Sequence, residues 1–317
     1  MKKFTALLLL TALLLAAIIP ASAEGTVRIG AMTGPTGIGM VKLMDDTEHY
    51  EAFVAGSADE LTPKILQGEL DIVSVPANLA SVLYGKTDGG VTVLAVNVLG
   101  VLYICEYGTQ EIQSMADLKG KTLYATGKGS TPEYFLRYLL TQNGLDPDTD
   151  VTIDWQSEPS AVVALLNSQG EGIAMLPQPY VTSAGIQLGE NFRSVISLSD
   201  EWAALDNGTL CTTAVVLART AFLEEHPDAA DAFLADFAES VSWVNENVDE
   251  AAELCEAYSV IKAAVAKKAI PSCNLVCITG AEMKEALSGC LSVIYAENPA
   301  AVGGSLPGDD FYYGAAE

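Results

Sequence analysis

The 317-residue sequence predicts an α/β protein of two similar lobes around a ligand cleft, joined by two hinge crossings and ending in a helical C-terminal portion. Three observations point there. Short apolar, β-forming runs alternate with helical stretches over the first two thirds of the chain, as in open, largely parallel sheets. A strand, a Thr-Gly turn and a helix start occur twice, at Val27–Gly37 and at Lys121–Thr131, with Thr33-Gly34 matching Thr126-Gly127. Between them, Ile65–Pro76 is echoed by Leu165–Pro177: each reads helix end, Gln-Gly-Glu turn, apolar strand, proline. Two matches in the same order describe two copies of one α/β unit.

The elements follow from local signals. Met1-Lys2-Lys3, the apolar run Ala6–Ile19 and Ala21-Ser22-Ala23 have the layout of a secretory signal, so cleavage is expected after Ala23. Thr26–Val54 reads as strand, helix, strand. Ser57 and Glu60 form a capping box that opens a helix to about Gln67. Leu70–Val75 is a strand with Asp71 embedded in it, Ala77–Tyr84 a helix, Val91–Asn97 and Leu99–Glu106 strands. The second lobe repeats the alternation, with strands near Thr122–Ala125, Val151–Ile153, Ile173–Leu176 and Phe192–Ser197. Its helices are expected at Thr131–Gln142, Ser160–Ser168 and Pro179–Leu188. Thr131–Gln142 is bounded by Ser130 with Glu133, or Thr131 with Pro132, and by Asn143-Gly144. Thr209–Ala218 is β-like and returns the chain to the first lobe, after which helices are expected at Ala229–Asn247, Asp249–Tyr258, Ile261–Ala269 and Gly280–Glu297. The organisation is therefore a leader over 1–23, first lobe 24–106, second lobe 107–212, and a return to the first lobe with C-terminal helices over 213–317. Leu102–Gly108 and Leu210–Ala214 are the candidate crossings, which would make Cys105 and Cys211 neighbours. Trp155 and Trp202 read as core or rim residues of the second lobe.

Composition excludes several classes. The formal charge is −25, and loss of Lys2 and Lys3 with the leader makes it more negative. Nucleic acids and anionic membrane surfaces need clustered Lys and Arg, so the charge argues against both as partners. No run after the leader is long enough to span a membrane. Six cysteines in an exported chain leave fifteen full pairings open. Cys273 and Cys277 have no histidine near them in sequence, and neither a metal nor a cofactor is expected. Gly34–Gly39 is no phosphate loop, because Met40 stands where lysine is required, and Pro132 interrupts any dinucleotide fingerprint at Gly127–Pro132.

The layout resembles the solute-binding proteins of ABC importers, in the nitrate/sulfonate/taurine and thiamine-pyrimidine-precursor group, with a type II periplasmic-binding fold. The residues that carry the likeness are the leader, Gly34-Pro35-Thr36-Gly37 before a helix, and Gly68-Glu69-Leu70-Asp71 leading to Val75-Pro76-Ala77-Asn78. Ala116–Lys121 with Gly127–Ser130 is the most specific part, and Ala218–Pro227 before a long helix also fits. The resemblance implies an exported, monomeric, non-enzymatic protein, periplasmic or held at the cell envelope, whose partners are a small-molecule solute and a membrane permease. Gln178 stands where the family often has an acidic residue before its proline, which weakens the expectation of a cationic ligand group. The cysteine-rich motif of the pyrimidine-synthesising enzymes of this fold is absent.

Ligands of open α/β sheets bind beyond the carboxyl ends of the strands, where helix N-termini offer backbone N–H groups to an acceptor or anion. The candidate ligand-binding residues are therefore Pro35, Thr36, Gly37, Asn78, Asn97, Lys128, Gly129, Ser130, Thr131 and Gln178. Lys128 is either the complement of an anionic solute or a solvated turn lysine. Two functions remain open: an exported binding protein that captures a small, anionic or heteroaromatic nutrient for an importer, and an exported enzyme of the same bilobal fold. The leader, the paired turns and the lack of a catalytic motif favour the first.

Overall fold

The computed structural model describes residues 25–315; the predicted leader lies outside them. In chain order the strands are β1 (Val27–Met32), β2 (Tyr50–Ala55), β3 (Ile72–Pro76), β4 (Val91–Leu99), β5 (Leu102–Tyr107), β6 (Thr122–Ala125), β7 (Thr152–Trp155), β8 (Gly172–Pro177), β9 (Phe192–Ser197), β10 (Thr212–Arg219) and β11 (Leu275–Ile278). The helices of the first two thirds are α1 (Pro35–Ile38), α2 (Val41–Asp45), α3 (Ala58–Leu66), α4 (Ala77–Thr87), α5 (Thr131–Gln142), α6 (Pro159–Gln169), α7 (Tyr180–Leu188) and α8 (Leu198–Ala204). The C-terminal helices are α9 (Thr220–Glu225), α10 (Pro227–Glu246), α11 (Val248–Ala257), α12 (Ala263–Ala269) and α13 (Gly280–Glu297). No helix among the described residues is long and apolar enough to cross a membrane.

Two open sheets carry the lobes. The first has the order β11-β4-β10-β3-β1-β2 and the second β7-β6-β8-β5-β9. In each, a first strand lies between two parallel neighbours: β1 between β2 and β3, β6 between β7 and β8. In each, the next position is taken by a strand arriving from the other lobe and running antiparallel, β10 in the first sheet and β5 in the second. The repeat seen in the sequence is thus a repeat of topology, with β3 and β8 in equivalent places. The sheets are mixed rather than parallel throughout, because a strand that enters from the opposite lobe must run against its hosts.

The pairing of β5 with β8 and β9 moves the first crossing. The chain leaves the first sheet at Gly100-Val101, before β5, rather than within 102–108. It returns over residues 205–211. The crossings touch at Gly100, where an added Cβ would lie 2.0 Å from Ser199 Oγ and 2.9 Å from Cys211 Sγ, so only glycine fits. Cys105 is not the neighbour of Cys211. It lies in the second lobe's own core with Val162, Leu166 and Leu176, while Cys211 shares a different cluster with Cys290. Cys105 is the fourth residue of β5, inside the second sheet and not at the crossing.

One hydrophobic cluster runs through both lobes, joining Leu61, Val73 and Val96 to Ile104, Phe135 and Trp202, and it is roofed by α13. Trp202 is 1% exposed, its ring 4.8 Å from Phe135, so it belongs to the core. A second cluster, around Phe233 and Phe237, covers the other face of the first sheet.

Each lobe also buries one acid. Asp71 accepts hydrogen bonds from Arg28 Nη2 (2.5 Å), Arg28 Nε (2.9 Å) and Arg219 Nη2 (2.7 Å). Burial alone would raise its carboxyl, but the two guanidinium groups outweigh that and hold it below the usual carboxylate value. Glu106, fully buried, accepts from the Glu111 and Ile112 amides and pairs with Arg193, with the same net lowering against burial. A carboxylate whose folded pKa is depressed stabilises the fold above its unfolded pKa, about 3.9 for Asp, and that contribution disappears as pH falls through the folded value. Asp71→Asn should therefore lower stability by about 2 kcal/mol at neutral pH, less than the roughly 3–5 of a fully buried pair because Arg28 reaches solvent. Urea unfolding should show this difference constant above about pH 4 and shrinking below it. A difference that persists unchanged in acid would refute the ionic origin.

Candidate functional site: a cleft between the strand ends

The carboxyl ends of β1, β3, β6 and β8 converge between the sheets, and a cavity of about 210 Å³ lies there. The first lobe supplies the turn Met32–Thr36, Pro76 at the end of β3, Val98 of β4, Val101 of the crossing, and Thr213-Ala214 of β10. The second lobe supplies Ser130 and Pro132 at the start of α5, Pro159 at the start of α6, Pro177 at the end of β8 with Gln178 after it, and Tyr180 at the start of α7. Prolines recur because each strand end turns straight into a helix, and proline fits the first helical turn, where its missing N–H is not needed. Gly34, at φ 93°, faces Pro179 of the other lobe, 3.6 Å from where its Cβ would be. A wider groove of about 600 Å³ lies outside this cavity and shares Met32, Pro76 and Ser130 with it.

The structure sorts the predicted residues. Pro35, Thr36, Ser130 and Gln178 line the inner cavity. Asn78, Lys128, Gly129 and, again, Ser130 line the outer groove, where Lys128 and Gly129 are exposed. Gly37 is buried behind the turn; a Cβ there would meet the Met32 carbonyl at 2.7 Å. Asn97 is buried in the first sheet and donates to Ser74 Oγ at 2.8 Å, lining neither space. Thr131 is fully buried and lines neither.

The turn before α5 is built differently from the capping box expected at Ser130. Ser130 Oγ donates to the Gly127 carbonyl at 2.7 Å, and Glu133 Oε2 accepts from the Gly129 amide at 2.6 Å. The cap comes from the other lobe. Asn78 Oδ1 accepts from both the Thr131 amide (3.0 Å) and Thr131 Oγ1 (2.9 Å), while Asn78 Nδ2 donates to the Ala301 carbonyl at 3.1 Å. Glu133 N bonds to Ser130 O, and Pro132 has no N–H. The first-turn donors of α5 are thus engaged within the protein, and a carboxylate of the chain itself already sits at this turn. The first-lobe turn also closes on itself, with Gly37 and Ile38 both donating to Gly34 O.

Sequence reasoning missed Met32, Thr33, Val98, Val101, Tyr180 and Thr213. Tyr180 begins a helix after proline, a recognisable signal. Thr213 had none, because its position depends on a register shift between β10 and β4. Burial raises the Tyr180 phenol above its usual value, opposed in part by the Thr33 hydroxyl facing it across the cavity.

A family model described as the NMT1-like family matches residues 49–259, a stretch that carries strands of both sheets and both sides of the cleft. The chain belongs to the NMT1-like family. Solved structures share the fold of this NMT1-like protein at low identity. An ABC transporter from Parabacteroides distasonis is 21% identical with a TM-score of 0.77, the match covering 91% of this chain and 99% of that one. The periplasmic aliphatic sulphonate binding protein SsuA from Escherichia coli is 18% identical with a TM-score of 0.71, over 88% and 89% of the two chains. The alkanesulfonate-binding SsuA from Xanthomonas axonopodis pv. citri, bound to MOPS, is 14% identical with a TM-score of 0.66, over 87% and 94%. No curated protein matches the sequence. The likeness to type II periplasmic-binding proteins is thereby borne out for the fold.

In this NMT1-like chain the clasp between the lobes is Asn78 on Thr131, and it can be tested by itself. Asn78→Ala leaves the Thr131 amide and hydroxyl without their acceptor and should cost about 1–3 kcal/mol in urea unfolding. Thr131→Val should lose less, since Asn78 keeps the amide as donor. Equal losses, or none, would show that the cap is not what joins the lobes here.

Proposed function

We propose that this protein is an exported solute-binding component of an ABC importer, which holds a small molecule between its lobes and delivers it to a membrane permease. The observation that carries this reading is the inner cavity, bounded by strand ends and helix starts of both lobes, where ligands of open α/β sheets bind. Family membership and the shared fold support it, as do the names of the Parabacteroides structure, an ABC transporter, and of the Escherichia coli structure, a periplasmic sulphonate binding protein. Among the described residues the cavity lining contains no Asp, Glu, His, Lys or Cys, so its Ser130, Thr213 and Tyr180 hydroxyls have no base beside them to activate them, which favours reversible binding over the alternative of an exported enzyme.

A thermal-shift screen of sulfonates, nitrate, pyrimidines, flavins and amino-acid-like compounds tests the reading. A true solute at a hundred times its dissociation constant should stabilise the protein by about 2.7 kcal/mol, unchanged in chemistry afterwards. Thr33→Trp, a half-buried position on the cavity wall, should fold and lose that increment. A full increment in the variant, or conversion of the compound to product, would overturn the proposal.

A further inference from the structure

We infer that the inner cavity selects an uncharged solute with an apolar body, held by a hydrogen-bond acceptor facing Gln178 and a polar group facing Thr213. The inference rests on the binding reading above and adds the chemical class of the ligand.

Gln178 and Thr213 are the polar groups of the cavity with unused capacity, and they come from opposite lobes. Gln178 is 6% exposed; its Oε1 accepts from Thr182 Oγ1 at 2.9 Å, and its Nε2 has no acceptor among the described residues. Thr213 Oγ1 is buried with no partner among the described residues. Thr213 is the extra residue of a bulge: β10 advances from Thr212 to Ala214 while β4 advances only from Leu99 to Val98. The bulge takes Thr213 out of the pairing alternation at the cleft edge. An unpartnered buried hydroxyl costs about 1–3 kcal/mol, and a site that keeps one beside a cavity is completed by what enters it. Of the other lining hydroxyls, Thr36 Oγ1 donates to Met32 O at 2.9 Å, Ser130 Oγ donates to Gly127 O, and those of Thr33 and Tyr180 face each other.

Charge settles the class. Among the described residues none that lines the cavity is an acid or a cationic base, in a chain of formal charge −25. An ion leaving water for such a cavity loses several kcal/mol of hydration and meets no charged side chain, only the partial charges of the helix starts. The backbone donors that would replace a cation at the start of α5 are bound to Asn78 and to the turn itself. Lys128 is exposed on the outer groove. The remaining walls include prolines with Met32, Val98 and Val101, which suit an apolar body, and about 210 Å³ is the room of a small molecule.

The test is ligand-observed NMR with a fragment library in which each uncharged amide, pyridone or pyrimidinone is matched by its carboxylate or sulfonate isostere, benzamide with benzoate and benzenesulfonate for example. Binding that Thr33→Trp abolishes defines the cleft. Uncharged members should bind there and their anionic isosteres should not. Gln178→Ala and Thr213→Val should each weaken that binding about tenfold, and Thr213→Ser should restore it. Anionic members that bind in the cleft as tightly as their partners would overturn this inference and leave solute binding intact. No cleft-dependent binding by either set would overturn both. Uncharged binding indifferent to Gln178→Ala and Thr213→Val would remove the assigned contacts and with them the proposal.

Discussion

A side chain of one lobe terminates a helix of the other. Asn78 and Thr131 are 3% and 0% exposed, so neither can exchange this partner for water without a movement of whole lobes. The contact fixes the start of α5, and through it the turn over residues 126–130 and one wall of the cavity. It also decides what that wall can offer. Helix N-termini attract anions because their first amides are unpaired. Here the amides of Gly129, Ser130 and Thr131 are paired within the protein, so the turn that looks most like an anion cradle has given up these donors before any solute arrives.

The distribution of charge follows the same division of labour. Each sheet pins one acid with arginine at positions away from the cavity lining, Asp71 by Arg28 and Arg219, Glu106 by Arg193. These pairs set where β1, β3 and β10 meet in one lobe and how β5 sits beside β9 in the other. The remaining acids are largely at the surface, screened by solvent and salt. The cavity holds neither sign. A protein with this surface would steer anions away at long range and present only local hydrogen bonds to whatever enters.

Much of the fold was legible because local signals and burial agreed. Thr131–Gln142 has the bounds expected from its proline and its Asn-Gly end, and the two Gln-Gly-Glu turns fall at equivalent places before β3 and β8. Leu198–Ala204 was not read as a helix, although Ser197 caps it by accepting from the Asp200 amide at 3.2 Å. Leu275–Ile278 is too short to show alternation and is a strand only because β4 offers it an edge. The site was less legible than the fold. Asn78 and Ser130 were correctly placed near the strand ends, but which of them caps α5 depends on a contact between residues 53 apart in sequence. Thr213 depends on a bulge, and no residue preference marks it. Gln178 was noticed as a departure from the family's acidic residue, and the same amide is the cavity's unused donor.

The most direct measurement is a crystal structure with the tightest-binding solute from the screen. The account predicts its density inside the inner cavity, between Met32 and Val98 on one side and Gln178 and Tyr180 on the other, with Thr213 Oγ1 in hydrogen-bond contact. Density confined to the outer groove beside Lys128, or anywhere outside the space between the lobes, would contradict it.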